Sequence, residues 1–228
     1  MKKVVVISLG GSLIIPDEID FNFLKKFKSI ILRNLNEYKF VIVCGGGSIA
    51  RKMISNLKKQ EKSIKKQSYA GIEATKTNAE TLMKLFGKNS NQKLPKSIKE
   101  INKILKKHPL IFCGALRYHK KETSDTTAAK LSKSLKTDLI NLTNIPGLYT
   151  SNPKTNKSAK FIPKISWKDF EAKALKIKYT PGQHFVLDQS TAALIRKNKI
   201  KTYILGKNMN NLNSLLNNKK FVGTIIEG

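Results

Sequence analysis

Cysteine is nearly absent from these 228 residues: only Cys44 and Cys113 occur, each directly before a glycine at the end of an apolar run. Thiols so placed read as small buried strand residues, which excludes a disulfide framework and disfavours a redox pair. The three histidines, His108, His119 and His184, have no ligand spacing and no neighbouring cysteine, so a structural zinc site has no support. No apolar run approaches the ~18 residues of a membrane span. The first residues read as a charged strand rather than a signal peptide, so a cytoplasmic protein without membrane association is expected. Acidic residues are scarce: fifteen Asp and Glu stand against 44 Lys and Arg, for a formal net charge of +29. Arginine is scarcer still, with only Arg33, Arg51, Arg117 and Arg196. Readers of bases and phosphates favour the planar arginine fork. Lysines spread along FLKKFKS, NLKKQEKSIKKQ and INKILKKH therefore read as solvated surface, and nucleic acid is not the expected partner. Steering of anionic substrates stays open.

What the chain does have is glycine at the ends of strands. In FVIVCGGGSIARK a β-branched run meets Gly45, Gly46 and Gly47 and then a helix start. Glycine lets a ligand lie against main-chain N–H groups, and at a strand-to-helix junction these carry the positive end of the helix dipole. A phosphate is the first expectation for that space, although turn geometry alone also explains such glycines. KKVVVISLGGSL repeats the arrangement at Gly10 and Gly11. Two such loops suggest two phosphoryl groups held side by side. Neither is a P-loop (GxxxxGK followed by Ser or Thr), and no GxGxxG opens the first helix as in a dinucleotide site. A branched side chain in this space, as in Gly46→Val, is expected to abolish activity and leave the fold largely intact.

Hydrophobic periodicity gives strands alternating with helices. Strands are expected at Lys3 to Leu9, Phe40 to Cys44, PLIFCGAL, TDLINLT, Thr202 to Leu205 and VGTIIE. Helices are expected at Phe21 to Leu35, Ser48 to about Gln60, Ala70 to Phe86 with Gly87 as its stop, Ser97 to Lys107, and from Ser124. Others are expected at Ser166 to Ala174, Leu187 to Asn198 and Asn210 to Leu216. The Pro-, Gly- and Asn-rich stretch NIPGLYTSNPKTNKSAKFIPKIS is expected to form a β-hairpin over the site. Such alternation predicts a mainly parallel sheet between helical layers, with ligands at the carboxyl ends of its strands. There the loops at Gly10, Gly45, Gly114 and Thr143 to Asn152 would converge.

Chemistry-bearing residues cluster in those loops. Asp125, in TSDTTAA, is either an N-terminal helix cap or a group that orients a cation or a metal near phosphates. Thr123 and Ser124 supply hydroxyls beside it. Arg51 lies one turn into the helix behind the triple glycine and suits a phosphate contact. Tyr149 either packs on its loop or stacks on a purine, and Lys154 has the reach for a β- or γ-phosphate.

SLGGSL, VCGGGSIARK, TSDTTAA, LTNIPGLYTSNPK, LDQSTAALIRKNKIKTYIL and GTIIE, taken together and in order, resemble the amino acid kinase superfamily, and within it the archaeal-type uridylate (UMP) kinases. The likeness covers nearly the whole chain. It implies an α/β fold, a three-layer α/β/α sandwich around a mainly parallel sheet of about eight strands. It also implies a single domain over 1–228, with an acceptor half to about residue 136 and an ATP half from about 137, assembled as a homohexamer. The implied reaction is ATP + UMP to ADP + UDP with Mg²⁺, in pyrimidine nucleotide synthesis. By the same likeness Gly10, Gly11 and Ser12 would hold the ATP phosphates, Gly47 and Arg51 phosphates, and Thr143, Tyr149 and Asn152 the adenine nucleotide. Gly46, Ser68, Thr123 and Ser124 would contact UMP. Asp125, Arg51 and Lys154 would carry catalysis.

The departures are specific. Ser8 and Ser48 stand where many relatives carry lysine, Ser68 where an acidic residue binds UMP, and Asn152 replaces the usual aspartate. The Gly114 loop, GALRYHKKETSD, is longer and richer in lysine. Arg117, Lys120, Lys121 or Lys154 would then supply the missing cation, and an already ionised acceptor phosphate needs no general base. Two alternatives stand beside UMP phosphorylation. One is another kinase of the superfamily such as isopentenyl phosphate kinase, disfavoured because Ile49, Ala50 and Arg51 replace that family's GGGSFGH pattern. The other is a non-catalytic nucleotide- or polyanion-binding protein.

Overall fold

The structure, a computed structural model, describes residues 2–119, 122–153, 155–176 and 186–228. Its elements begin with β1 (Lys3–Leu9), α1 (Gly11–Ile14), α2 (Phe21–Arg33), β2 (Tyr38–Cys44), α3 (Gly47–Lys59) and α4 (Ile64–Phe86). Next come α5 (Ile98–Lys107), β3 (Leu110–Cys113), α6 (Ser124–Leu135), β4 (Leu139–Leu142), β5 (Leu148–Tyr149), β6 (Phe161–Ile162) and β7 (Lys164–Ile165). The chain closes with α7 (Trp167–Leu175), α8 (Gln189–Lys197), β8 (Thr202–Leu205), α9 (Met209–Leu216) and β9 (Thr224–Ile226).

Seven strands form the main sheet in the order β3-β2-β1-β4-β8-β9-β7. The five from β3 to β8 run parallel; β9 is antiparallel to β8, and β7 parallel to β9. The hairpin expected in the Pro-rich stretch is present as β5 and β6, a separate two-stranded sheet pairing Leu148 with Ile162 and Tyr149 with Phe161.

Side chains alternate across a strand, and that alternation builds two cores. Val5, Ile7, Leu9, Phe40, Ile42 and Phe112 pack with α2, α4 and α9 on one face. Val6, Val41, Val43 and Ile111 pack with α5, α6, α7 and α8 on the other. Strands buried on both faces read as continuous apolar runs, as these do. Cys44 joins the first core and Cys113 the second, so the two thiols face opposite sides of the sheet and both are free. Burial pushes the Cys113 thiol up to about 12, which makes it an inert core atom.

Two local details differ from expectation. Helix α4 starts at Ile64, capped by the Ser63 side chain, ahead of the apolar stripe that begins at Ala70. Ser97 caps α5 as expected, but the Glu100 carboxylate takes the N–H of Lys96 and not that of Ser97, so the reciprocal capping box is not closed. The polar connection before α5 also has a structural task. The buried Asn91 carboxamide accepts from Phe112 N at 2.7 Å and donates to Phe112 O at 3.0 Å, which occupies the open edge of β3.

Candidate active site

Because β1 to β4 are parallel, their carboxyl ends share one rim, and the ladder continues into the loops beyond. Gly10 N donates to Leu142 O and Gly45 N to Leu9 O, both at 2.8 Å; Thr143 N donates to Leu205 O at 2.9 Å. The two glycine loops then interlock. A Cβ on Gly11 would stand 2.0 Å from Gly47 N and 2.7 Å from Gly45 C, and one on Gly45 would stand 2.5 Å from Gly11 N. Gly47 has a φ of +62°, and a Cβ there would meet Gly11 O at 2.5 Å. It is thus the backbone of the facing glycine loop that forbids side chains at Gly11, Gly45 and Gly47.

Gly46 differs. A Cβ there would lie 2.4 Å from Ala50 Cβ, one turn along its own helix. The expectation that Gly46→Val spares the fold is therefore corrected. A lower melting midpoint is expected together with lost activity, and thermal denaturation checks it; an unchanged midpoint would contradict the contact. The start of α3 is partly occupied as well. Ser48 N donates to Ile15 O at 3.1 Å, and Arg51 Nη2 donates to Pro16 O at 3.0 Å, so the segment after α1 holds Arg51 beside the glycine loops.

Ser8 lies on the face of β1 that carries Val6, toward α6, and is 1% exposed. Its hydroxyl donates to Asp125 Oδ1 at 2.5 Å. Asp125 keeps partial solvent contact as a residue, but its carboxyl is enclosed and is pushed up from 3.8 to about 7. Loss of solvent is the main cause and the Asp188 carboxylate the second, against a downward pull from Ser8. Asp188 caps α8 through Thr191 N and accepts from the hydroxyls of Thr123 at 2.6 Å, Thr191 at 2.7 Å and Thr126 at 3.2 Å. Among the described residues no lysine, arginine or histidine forms a salt bridge with either carboxylate. Ser8 thus meets two acids ringed by hydroxyls.

The remaining expected site residues scatter in role. Thr123 closes a capping box on α6 besides its bond to Asp188, so its hydroxyl is engaged; Ser124 is the first residue of that helix. Ser12 sits on α1 directly after Gly11, and Thr143 directly after β4. Ser68 lies on α4 within a turn of Gly71. Tyr149 packs edge-to-face on Phe161, ring centroids 5.4 Å apart, the first of the two roles open to it. Asn152 lies beyond β5, where its carbonyl accepts from Thr155 N and Asn156 N. Arg117 is exposed on the Gly114 loop, and Tyr118 on that loop stacks on Tyr69 of α4, centroids 5.3 Å apart. Lys154, Lys120 and Lys121 lie outside the described residues, as does His184.

Two residues at this rim escaped the sequence reading. Asp188 was legible as the cap of DQST, an acceptor three residues before Thr191, but nothing along the chain links it to Asp125. Asn78, buried in α4, donates to Gly45 O at 2.7 Å, and no local pattern announces it.

Residues 3–206 match the model of the amino acid kinase family. The chain belongs to the amino acid kinase family. Among its curated relatives are the uridylate kinase of Thermoplasma volcanium, 31% identical over the whole of this chain and 99% of that protein, and that of Thermococcus kodakarensis, 29% identical over 89% and 90%. The crystal structure of uridylate kinase from Archaeoglobus fulgidus superposes with a TM-score of 0.83 at 29% identity, covering 98% of this chain and 99% of that one. UMP kinase from Ureaplasma parvum, at 22% identity and a TM-score of 0.82, shares the fold of this amino acid kinase.

Proposed function

We propose that this amino acid kinase is a UMP kinase, transferring the γ-phosphoryl group of ATP to UMP. What carries the proposal is the interlocked pair of glycine loops beside Asp125, in a chain that aligns end to end with proteins named uridylate kinase. Residues up to about 136 form the acceptor half and those from about 137 the ATP half. An oxygen of the UMP phosphate attacks the γ-phosphorus in line; its O–P bond forms as the bond to the β,γ-bridging oxygen breaks, and ADP leaves. The acceptor arrives ionised, so positioning and charge neutralisation are the protein's tasks. Mg²⁺ enters with ATP as part of the substrate, bound to its phosphates. Gly11, Ser12 and Gly47 present backbone and hydroxyl donors to the ATP phosphates, while Gly10, whose N–H is spent on Leu142 O, keeps the loop free of a side chain beside them. Arg51 supplies positive charge together with Lys154. Ser68, Ser124 and Gly46 face the acceptor, while Thr143, Tyr149 and Asn152 belong to the adenine side. Reaction in the cytoplasm, as a step of pyrimidine nucleotide synthesis, goes with this reading.

ADP release measured across UMP, CMP, dUMP and isopentenyl phosphate tests the assignment. Preference for UMP supports it, while turnover confined to isopentenyl phosphate would replace it with the related kinase. Binding of nucleotides without turnover would favour the non-catalytic alternative.

The same reading includes a homohexamer, and the surface offers a contact for one. Helix α3 buries only Ser48 and leaves Met53 40% exposed, and neighbouring α4 leaves Ile64 62% exposed. Met53→Glu with Ile64→Glu is expected to lower the mass measured by light scattering without a loss of melting midpoint; an unchanged mass would remove this face from the assembly.

No helix among the described residues is long and apolar enough to cross a membrane.

A further inference from the structure

Gly71, Ala74, Thr75 and Asn78 recur at helical spacing on α4 and share one face. That face touches both acceptor-side loops. A Cβ on Gly46 would lie 3.5 Å from Gly71 O and from Ala74 Cβ, and one on Gly114 would lie 2.5 Å from Thr75 Oγ1. Thr75 Oγ1 accepts from Ala115 N at 2.9 Å and donates to Ile72 O at 2.6 Å, which saturates it between its own helix and the loop after β3. Asn78 Nδ2 donates to Gly45 O at 2.7 Å. Asn78 is wholly buried, and its Oδ1 has no partner among the described residues.

An unpartnered buried carbonyl forfeits its hydration with nothing in return, so packing alone would be better served by an apolar side chain here. Exchanging the amide O and N would set two acceptors against each other at Gly45 O, which fixes the orientation. The peptide unit is planar and trans, so its C=O and the following N–H point in opposite directions. Holding Gly45 C=O toward α4 therefore turns Gly46 N–H away from α4.

We infer that Asn78 is a positioning residue that aims the Gly46 N–H at the acceptor's phosphate, while Thr75, one turn earlier on the same face, fixes the distance to the loop after β3. The inference rests on the UMP kinase reading. It predicts an effect confined to the acceptor.

Calorimetric titration of Asn78→Ala is expected to show UMP affinity about tenfold weaker or more, the order of one lost hydrogen bond to an anion-binding loop, with ATP affinity within about twofold of parental. Asn78→Asp keeps the shape and supplies a donor only while protonated. Its UMP affinity relative to parental at each pH is expected to fall from about pH 6 to about pH 9 as a buried carboxyl ionises. UMP affinity unchanged in both variants would overturn the inference. So would equal weakening of UMP and ATP together with a lower melting midpoint, the signature of a purely structural residue. If the parental protein binds no UMP, the kinase reading itself falls. The anchor is read without ligand by hydrogen exchange of the 45–48 amides, expected to be faster in Asn78→Ala; unchanged exchange there would overturn the anchor.

Discussion

Gly11→Ala is expected to lower the melting midpoint by roughly 6–12 °C and to leave phosphoryl transfer at background. The added methyl group would lie 2.0 Å from Gly47 N and 2.7 Å from Gly45 C. Both are backbone atoms, so no side chain can turn aside. Overpacking of this kind costs up to about 3 kcal/mol, and in a chain of this length each kcal/mol shifts the midpoint by about 2–4 °C. Activity is expected to suffer more than stability, because parting the loops displaces the N–H groups of both at once. A Gly11→Ala protein with parental kinetics would show that the interlock does not set the site's geometry.

The second large effect concerns charge. With uncharged serines at positions 8 and 48, Arg51 is the described cation nearest the triple glycine along α3. Arg51→Ala is expected to lower kcat and kcat/KM together by about 10²-fold, as loss of a group acting chiefly in the transition state does. ATP binding is expected to change less. Lys154→Ala, measured in parallel, apportions the charge between the two. Ser8→Lys reads the acid side. A carboxyl raised from 3.8 to about 7 on folding keeps a proton that the unfolded chain has lost, so Asp125 makes stability fall as pH rises through that interval. An ammonium at position 8 would hold the carboxylate ionised, so Ser8→Lys is expected to flatten the pH dependence of the melting midpoint and to accelerate transfer. Near-parental kcat in Arg51→Ala and Lys154→Ala, together with strong acceleration in Ser8→Lys, would mean that neither residue supplies the positive charge that transfer needs.

The sheet was legible because β1 and β2 are buried on both faces and leave unbroken apolar runs, and because Ser97 and Gly87 mark helix ends with residues whose local chemistry is visible in sequence. The loops' convergence followed from parallel order alone. Other features depend on contacts across long chain separations. Ser8 reads as an ordinary strand serine until the fold brings Asp125 to it, 117 positions away. Asn78 lies inside a helical pattern that gives no reason for a buried carboxamide. The glycines were read as sites of close approach, but the sequence could not name the neighbour that the fold adds, which is the other glycine loop.

The most direct measurement incubates the purified protein with UMP and ATP labelled at the γ-phosphorus and separates the products, with Gly11→Ala as the matched control. Transfer of label to UMP to give UDP by the parental protein, absent from the control, is the expected result. No labelled UDP from a folded parental protein that binds both nucleotides would contradict the proposed function.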